Sequence, residues 1–195
     1  APGCESLPYY ANVDQVPPDT DHVSNWHYVQ AVKTGKVALT SYDFERPSTS
    51  LKVDATKSRS YKLSDGEAFD FQGDYVKKPD GSQWAEDRLD EVQTGFDSAG
   101  GASNAQGVCV GRLLSLTRHP REDQNRKYLV TALTVRAHLE AYEAGSGAGD
   151  YHCDFSTIPS DQQYRPPRRT PKPFVQGPQT AIVVGPSGDE IYADE

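Results

Sequence analysis

The 195-residue sequence has few large aliphatic side chains and no methionine. Leu, Ile, Val and Phe together number 36, or 18%. That fraction lies below the roughly 20% at which a highly charged chain is suspected of disorder. Eleven Tyr and two Trp compensate in part, because each aromatic side chain can bury about 150–250 Å². We therefore expect an ordered but core-poor chain that obtains part of its burial from partners. The absence of Met, even at position 1, predicts a fragment or a processed chain.

Three further shortages exclude whole classes of protein. The chain has only 20 basic residues against 28 acidic ones, for a net charge of −8 and a pI of about 5.1, which argues against nucleic-acid binding. Its longest purely apolar run is residues 181–184, so a membrane helix and a signal-peptide core are not expected. Cys4, Cys109 and Cys153 form no C-x-x-C pair, so they predict reduced, structural thiols rather than a disulfide framework or a zinc site.

Alternating polar and apolar residues predict a mainly β (α+β), antiparallel domain. The turn Lys33-Thr34-Gly35 is expected to join the first two strands as a hairpin. The small residues 98–103 are typical of a loop, and the glycine-rich residues 145–149 of a flexible hairpin loop. Strands are predicted at 26–32, 36–44, 51–55, 69–71, 106–117, 127–139 and 151–158. In the strand at 127–139, the face expected to be half buried carries Leu129, Thr131, Leu133 and Val135.

One amphipathic helix is predicted from about Ser82 onward. Asp80 and Gln83 fit the spacing of a capping box at its start. Its apolar face consists of Trp84, Ala85, Leu89, Val92 and Phe96. The opposite face carries four carboxylates, which we interpret as a solvated surface rather than a catalytic cluster: Glu86, Asp87, Asp90 and Glu91.

Composition divides the chain into four parts. Residues 1–22 are an irregular lead-in, and residues 23–163 form the main β domain. Residues 164–176 are a proline-rich basic linker, in which residues 165–172 have the charge to contact an acidic surface. Residues 177–195 have the pattern of the first hairpin of a further β domain, whose remaining strands are absent.

The residue types that carry catalysis or hold metals do not form a recognisable pattern. The histidines lack H-E-x-x-H spacing, and His152 and Cys153 are neighbours that a strand would point to opposite faces. His119 and Asp123 resemble a base with its orienting acid, but they lie in a polar turn of residues 118–125. Nucleophile-elbow and phosphate-loop motifs are absent. We therefore predict no enzyme and no catalytic, cofactor-binding or metal residue. The histidines considered are His22, His27, His119, His138 and His152.

Several segments, in order and at matching spacings, resemble the VgrG family of spike proteins of the bacterial type VI secretion system. The similarity covers about residues 23–195. The most telling segment is 116–130 (LTRHPREDQNRKYLV), followed by 151–159 (YHCDFSTIP). The others are residues 21–26, 38–47, 73–75, 164–173 and 177–186.

The resemblance implies a structural role. Members of the family are homotrimers equivalent to the fused hub and spike of contractile phage tails. Each subunit has a hub region with two related β-barrels, so the resemblance implies an antiparallel β-barrel hub domain here. Three subunits present pseudo-sixfold symmetry to the hexameric Hcp tube. An oligonucleotide/oligosaccharide-binding (OB) barrel follows, and then a needle tipped by a PAAR-repeat protein. The chain would supply the later part of the hub, through about residue 173, and the opening hairpin of the OB-fold barrel. It would assemble with baseplate components in the bacterial cytoplasm and then be injected into target cells. No catalytic residues carry over.

Two alternatives stay open at this point. A phage tail hub or baseplate protein would be physically the same machine. A secreted carbohydrate-binding or hydrolytic β-domain belongs to another class and would need clustered exposed aromatics or two carboxylates across a cleft. Because the aliphatic content is low, we also expect the longer native chain to trimerise and this fragment alone to do so poorly.

Overall fold

The computed structural model describes residues 5–71, 73–138, 150–171 and 173–180. Within these ranges the chain forms a six-stranded sheet and a three-stranded sheet covered by one α-helix, α1 (Lys78–Thr94). Short 3-10 turns occupy Val13–Gln15 and Glu122–Gln124. The strands are β1 (Ser6–Pro8), β2 (Val23–Gln30), β3 (Lys36–Thr40), β4 (Val53–Thr56), β5 (Glu67–Phe71), β6 (Asp97–Ser103), β7 (Leu113–Thr117), β8 (Lys127–His138) and β9 (Asp150–Pro159).

The six-stranded sheet, in the order β1-β7-β8-β9-β6-β2, curls into a half-barrel. Its two edges meet at one point, where Tyr9 bridges Val23 and the Tyr10 N–H donates to Val23 O at 3.0 Å. The predicted mainly β fold with one helix is confirmed. The pairs β1–β7 and β3–β5 are parallel, so the sheets are not wholly antiparallel as expected.

The half-barrel core is built from side chains on all six strands of its sheet. Leu7, Leu116 and Tyr128 are almost completely buried, and the Trp26 ring meets Tyr128 edge-on at 4.9 Å. Burial of these side chains supplies the main driving force for closing the sheet.

The buried face of β8 differs from the prediction. Tyr128 and Val130 point into the core, whereas Leu129 and Thr131 are only partly buried. A bulge between Val130 and Ala132 then shifts the register, and Leu133 packs against the core instead. A bulge places an extra residue in one strand, so the alternation of faces cannot be followed through it from sequence.

Residues 98–103 were expected to be a loop, and this is wrong. They belong to β6, which lies between β2 and β9 with its last five residues buried. Small side chains are required here because the backbones of the neighbouring strands lie very close to β6. A Cβ on Gly100 would lie 2.9 Å from Phe155 O, and one on Gly101 would lie 3.1 Å from Ser24 O.

The second unit is the sheet β4-β3-β5 with α1 packed against it. Leu39, Val53 and Leu89 are buried between sheet and helix. Tyr75 lies against Gly73 and Gly81, where added Cβ atoms would come within 2.2 and 2.3 Å of its ring, and its hydroxyl donates to Leu51 O at 2.7 Å. The glycines therefore make the space that this buried tyrosine fills.

The predicted hairpin between the first two strands is wrong. Strand β2 pairs with β6 in the half-barrel, whereas β3 pairs with β4 and β5 in the small sheet. Residues 31–35 therefore connect two sheets. The alternation of residues identifies strands, but it does not identify the partner of each strand.

Helix α1 begins earlier than predicted. Its N-cap is Lys77, which makes no side-chain capping bond, and Pro79 occupies the first turn. Asp80 therefore lies inside the helix, and the expected capping box does not form. Ala85 and Leu89 are buried as predicted, but Trp84 is exposed and Phe96 lies beyond the helix end.

The remaining predictions divide into three groups. Strands β4, β5, β8 and β9 occur where expected, whereas residues 106–112 are mostly turn and β7 is confined to its five residues. The irregular lead-in is wrong for Ser6–Pro8, which is strand β1 with Leu7 in the core. The loop at 145–149 and most of the hairpin at 177–195 lie outside the described residues. The division into hub domain, linker and OB-fold domain stays a prediction.

Candidate functional site

The side chains with catalytic or ligating chemistry do not converge in the described part of the chain. Among those residues, no three His, Cys, Asp or Glu side chains are placed to hold a metal ion. His152 is half-buried, with its Nε2 3.5 Å from Asp154 Oδ1, while Cys153 is buried. The two neighbours therefore face opposite sides of β9, as the strand argument predicted.

His119 and Asp123 do not act as a base and its orienter. Arg121 donates to both carboxylate oxygens of Asp123, at 3.1 and 2.7 Å, and lowers the pKa of that acid. His119 Nδ1 instead accepts from the Arg121 N–H at 3.1 Å. Asn125 bonds both backbone groups of His119, at 2.8 and 2.9 Å. These contacts shape the loop between β7 and β8.

The cysteines differ from one another. Burial raises the pKa of the Cys153 thiol, which makes it an inert core residue. Cys109 is exposed, so the expectation of structural thiols does not describe it. Cys4 lies outside the described residues.

A cluster of tyrosines and arginines lies where β2, β6 and β8 meet. The Tyr128 hydroxyl donates to Gln124 O at 3.1 Å and accepts from Arg126 Nε at 3.3 Å. Tyr28 donates to Asp97 Oδ1 at 2.8 Å. Burial raises the pKa of both tyrosines, and Asp97 adds to the effect on Tyr28. The two tyrosine hydroxyls therefore stay protonated at neutral pH and act as hydrogen-bonding structural groups.

The basic linker makes ion pairs and hydrogen bonds with helix α1. Arg165 Nη2 lies 2.6 Å from Asp87 Oδ1. The Arg168 backbone N–H donates to Glu91 Oε1 at 2.8 Å, and its Nε lies 3.5 Å from Glu91 Oε2. The expected contact of the basic segment with an acidic surface is therefore formed, and that surface is α1.

Residues 162–165, at the start of the linker and just before it, cap the C-terminal end of α1. The Gln162 amide donates to Gln93 O at 3.0 Å and also to Thr94 O. The Arg165 N–H donates to Thr94 Oγ1 at 3.0 Å. The last carbonyls of a helix lack partners within it, so this segment supplies a cap from outside.

These contacts correct the expectation of a solvated carboxylate face. Asp87 and Glu91 hold the linker, and Asp90 lies 3.2 Å from Lys57; each is half buried, while Glu86 stays exposed. The sequence indicated both charged partners separately. Their pairing was missed, because 78 residues separate Arg165 from Asp87.

A groove of about 370 Å³ runs between α1 and the linker. Its lining includes Leu39, Trp84, Asp70, Arg88 and Pro166. Its lining carries both acidic and basic groups, and Arg88 pairs with Glu91 at 3.5 Å and Asp70 at 3.6 Å.

Strand β5 forms one wall near this groove and is exposed throughout. It is an edge strand among the described residues. Phe69 and Phe71 are 59% and 56% exposed, and they alternate with Asp70. Exposed apolar edge strands pair readily with other chains, so β5 is a candidate interaction edge.

The helix of the described residues is neither long nor apolar enough to cross a membrane. Helix α1 has 17 residues and a mixed charged surface.

The chain is similar over almost its whole length to several curated proteins. This chain is 39% identical over 198 residues to type VI secretion system spike protein VgrG1b of Pseudomonas aeruginosa, covering 98% of this chain and 27% of the relative. It is 31% identical over 195 residues to actin cross-linking toxin VgrG1 of Vibrio cholerae, covering 98% of this chain and 18% of the relative. The chain thus spans about a quarter or less of the length of these relatives.

Solved structures support the fold. A 43 kDa tail protein of prophage MuSo2 from Shewanella oneidensis superposes with a TM-score of 0.53 at 9% identity, over 80% of this chain and 44% of that protein. The family model described as phage tail baseplate hub (GPD) matches residues 1–141. The resemblance to VgrG spike proteins is thereby confirmed, and the chain belongs to the phage tail baseplate hub family.

Proposed function

We propose that this chain is a structural part of the hub of a type VI secretion spike. The observation that carries the proposal is the 39% identity to spike protein VgrG1b over 98% of the chain. The hub-family match over residues 1–141 supports placing it in the hub. It acts by holding its neighbours in position and catalyses no reaction.

The proposed assembly is a homotrimer that joins the hexameric Hcp tube to the needle. Baseplate components, the PAAR-repeat tip protein and effectors would be further partners, the last two through regions outside this chain. The whole protein would assemble in the bacterial cytoplasm and be injected into target cells. The exposed strand β5 supports the need for neighbours, because its aromatic side chains are uncovered in the single chain.

A phage tail hub is the weaker candidate. The prophage tail protein shares only 9% identity with the chain, which bears on the fold alone. The curated relatives with 31–39% identity carry VgrG names. A secreted carbohydrate-binding or hydrolytic domain has no comparable support.

The test uses the full-length native protein. Light scattering is expected to give the mass of a trimer, and a pull-down is expected to retain purified Hcp. A matched sample of the isolated 195-residue chain should be mainly monomeric at the same concentration. A stable full-length monomer that fails to retain Hcp would overturn the proposal.

A further inference from the structure

We infer that the acidic face of α1 is a recognition surface for the extended Arg-Pro-Pro-Arg segment, residues 165–168, which it holds as a releasable electrostatic latch. The segment is the chain's own linker, and the latch fixes the point from which the chain leaves the helix. It involves this chain alone, so it does not depend on the assembly proposed above.

Each of the two arginines reaches one carboxylate of the helix. Asp87 and Glu91 are four residues apart and lie on one face of the helix, separated by about 6 Å along its axis. Arg165 and Arg168 are three residues apart in an extended segment, which spans about 10 Å, and their long side chains cover the difference. Each arginine meets one carboxylate, at 2.6 Å for Arg165 and 3.5 Å for Arg168.

The two prolines favour docking because they already restrict the backbone of the segment when it is not bound to α1. Pro166 and Pro167 fix φ and favour extended backbone, so little conformational freedom is lost when the segment docks. They also carry no N–H group, and no donor is left to be satisfied between the two arginines. The backbone donors on either side are bonded, Arg165 N–H to Thr94 Oγ1 and Arg168 N–H to Glu91 Oε1.

The latch is expected to be releasable because its ion pairs are exposed in part. The Arg165 and Arg168 side chains are 42% and 61% exposed, and salt screens such pairs. In addition, Arg165 Nε is buried with no hydrogen-bond partner among the described residues, so docking carries a desolvation cost.

While the segment is docked on α1, the chain after Arg168 starts from a fixed point instead of from the end of a flexible tether. Strand β9 ends at Pro159, and eight residues separate it from Arg168. Unattached, these residues would extend to about 30 Å. Held on α1, they place the start of the following segment beside the groove.

Hydrogen exchange at single amides tests the latch. Glu91→Ala and Asp87→Ala are compared with Glu86→Ala, which removes an exposed carboxylate from the same helix. We expect the Arg168 amide to exchange roughly two- to tenfold faster in Glu91→Ala, and the Arg165 amide to exchange faster in Asp87→Ala. Glu86→Ala should leave both rates unchanged, and the Leu89 amide should report an intact helix in all variants.

A second set of variants leaves the helix untouched. Arg165→Gln with Arg168→Gln should also speed exchange at both amides, whereas Arg169→Gln should not. Raising the ionic strength from about 0.1 to 1 M shortens the Debye length from about 10 to 3 Å, and should speed exchange in the wild type more than in the double variant. Equal exchange rates in wild type, the double variant and both controls would overturn the inference.

Discussion

Gly100 is the position in β6 where the absence of a side chain matters most. A Cβ there would lie 2.7 Å from His27 Cε1 and 2.9 Å from Phe155 O. The second atom is backbone of the neighbouring strand, which cannot move without disturbing the sheet. We expect Gly100→Ala to lower the free energy of unfolding by about 1–3 kcal/mol, measured by urea denaturation.

Gly95→Ala is the matched control. The nearest atoms to its added Cβ are Cε and Nζ of Lys33, at 3.1 and 3.2 Å, and the end of a lysine side chain moves easily. An equal loss of stability in both variants would mean that the tight approach at Gly100 is not the cause.

The raised pKa of Tyr128 predicts how the free energy of unfolding changes in alkaline solution. Burial raises its pKa above the ordinary value of 10.0, so the folded state keeps a proton that the unfolded state has already lost. Stability from this group is complete below pH 10 and falls as the pH rises through the folded-state value. Tyr128→Phe should lose about 0.5–1.5 kcal/mol at neutral pH, but its stability should fall less steeply in alkali.

Urea midpoints measured between about pH 9 and 11 check this expectation. Tyr164→Phe, in the exposed linker, is the control and should keep the wild-type slope. A Tyr128→Phe slope identical to that of wild type would contradict the assigned burial effect.

At the scale of elements, Gln93 joins the end of α1 to two loops. It is 2% exposed; its Oε1 accepts from Arg59 Nε at 2.6 Å and its amide donates to Thr34 O at 2.8 Å. Gln93→Ala leaves both partners without their bond, so we expect a loss of about 1–3 kcal/mol in urea or thermal unfolding.

Gln83→Ala provides the comparison on the same helix. Gln83 is exposed, and among the described residues its side chain hydrogen-bonds to Asp87 at 3.3 Å, so its loss should cost about 0.5 kcal/mol or less. If the two alanine variants unfolded alike, Gln93 would not be the structural link that its contacts indicate.

Elements were easier to predict than their pairing. Strands such as β8 and β9 follow from alternation, because a half-buried strand needs one apolar face. Strand β6 was missed since its Gly, Ala and Ser residues have a loop composition, although close packing between β2 and β9 is what demands small residues. The separate sheets of β2 and β3 depend on contacts with residues far along the chain, which a local pattern does not contain.

The contact surfaces were likewise visible in the sequence only as separate parts, and not as a pair. The basic linker and the acidic helix were both visible as charge patterns in the sequence. Their pairing is a tertiary contact, and it also converts part of a face interpreted as solvated into a half-buried one. The exposed aromatics of β5 were interpreted as strand residues, but sequence alone did not reveal that β5 lies at an edge.

At the scale of the whole molecule, the half-barrel depends on its first strand. Leu7 is 1% exposed within the core shared with β7 and β8. Leu7→Ala should therefore lower the free energy of unfolding by about 2–5 kcal/mol, detected by thermal or urea denaturation of the complete 195-residue chain.

Val13→Ala serves as the control in the same segment, because Val13 is 60% exposed. Its cost should stay within about 0.5 kcal/mol. Stability unaffected by Leu7→Ala would mean that β1 is not an integral part of the barrel.

The parallel pairing of β1 with β7 also sets an order of events on the ribosome. Strand β1 is synthesised well before β7, because the Thr117 hydroxyl that donates to Leu7 O lies 110 residues later. Until β7 emerges, Leu7 has no parallel partner strand. Strand β1 therefore takes its place in the sheet long after it is made, and the pairing with β7 is a late, non-local step of folding.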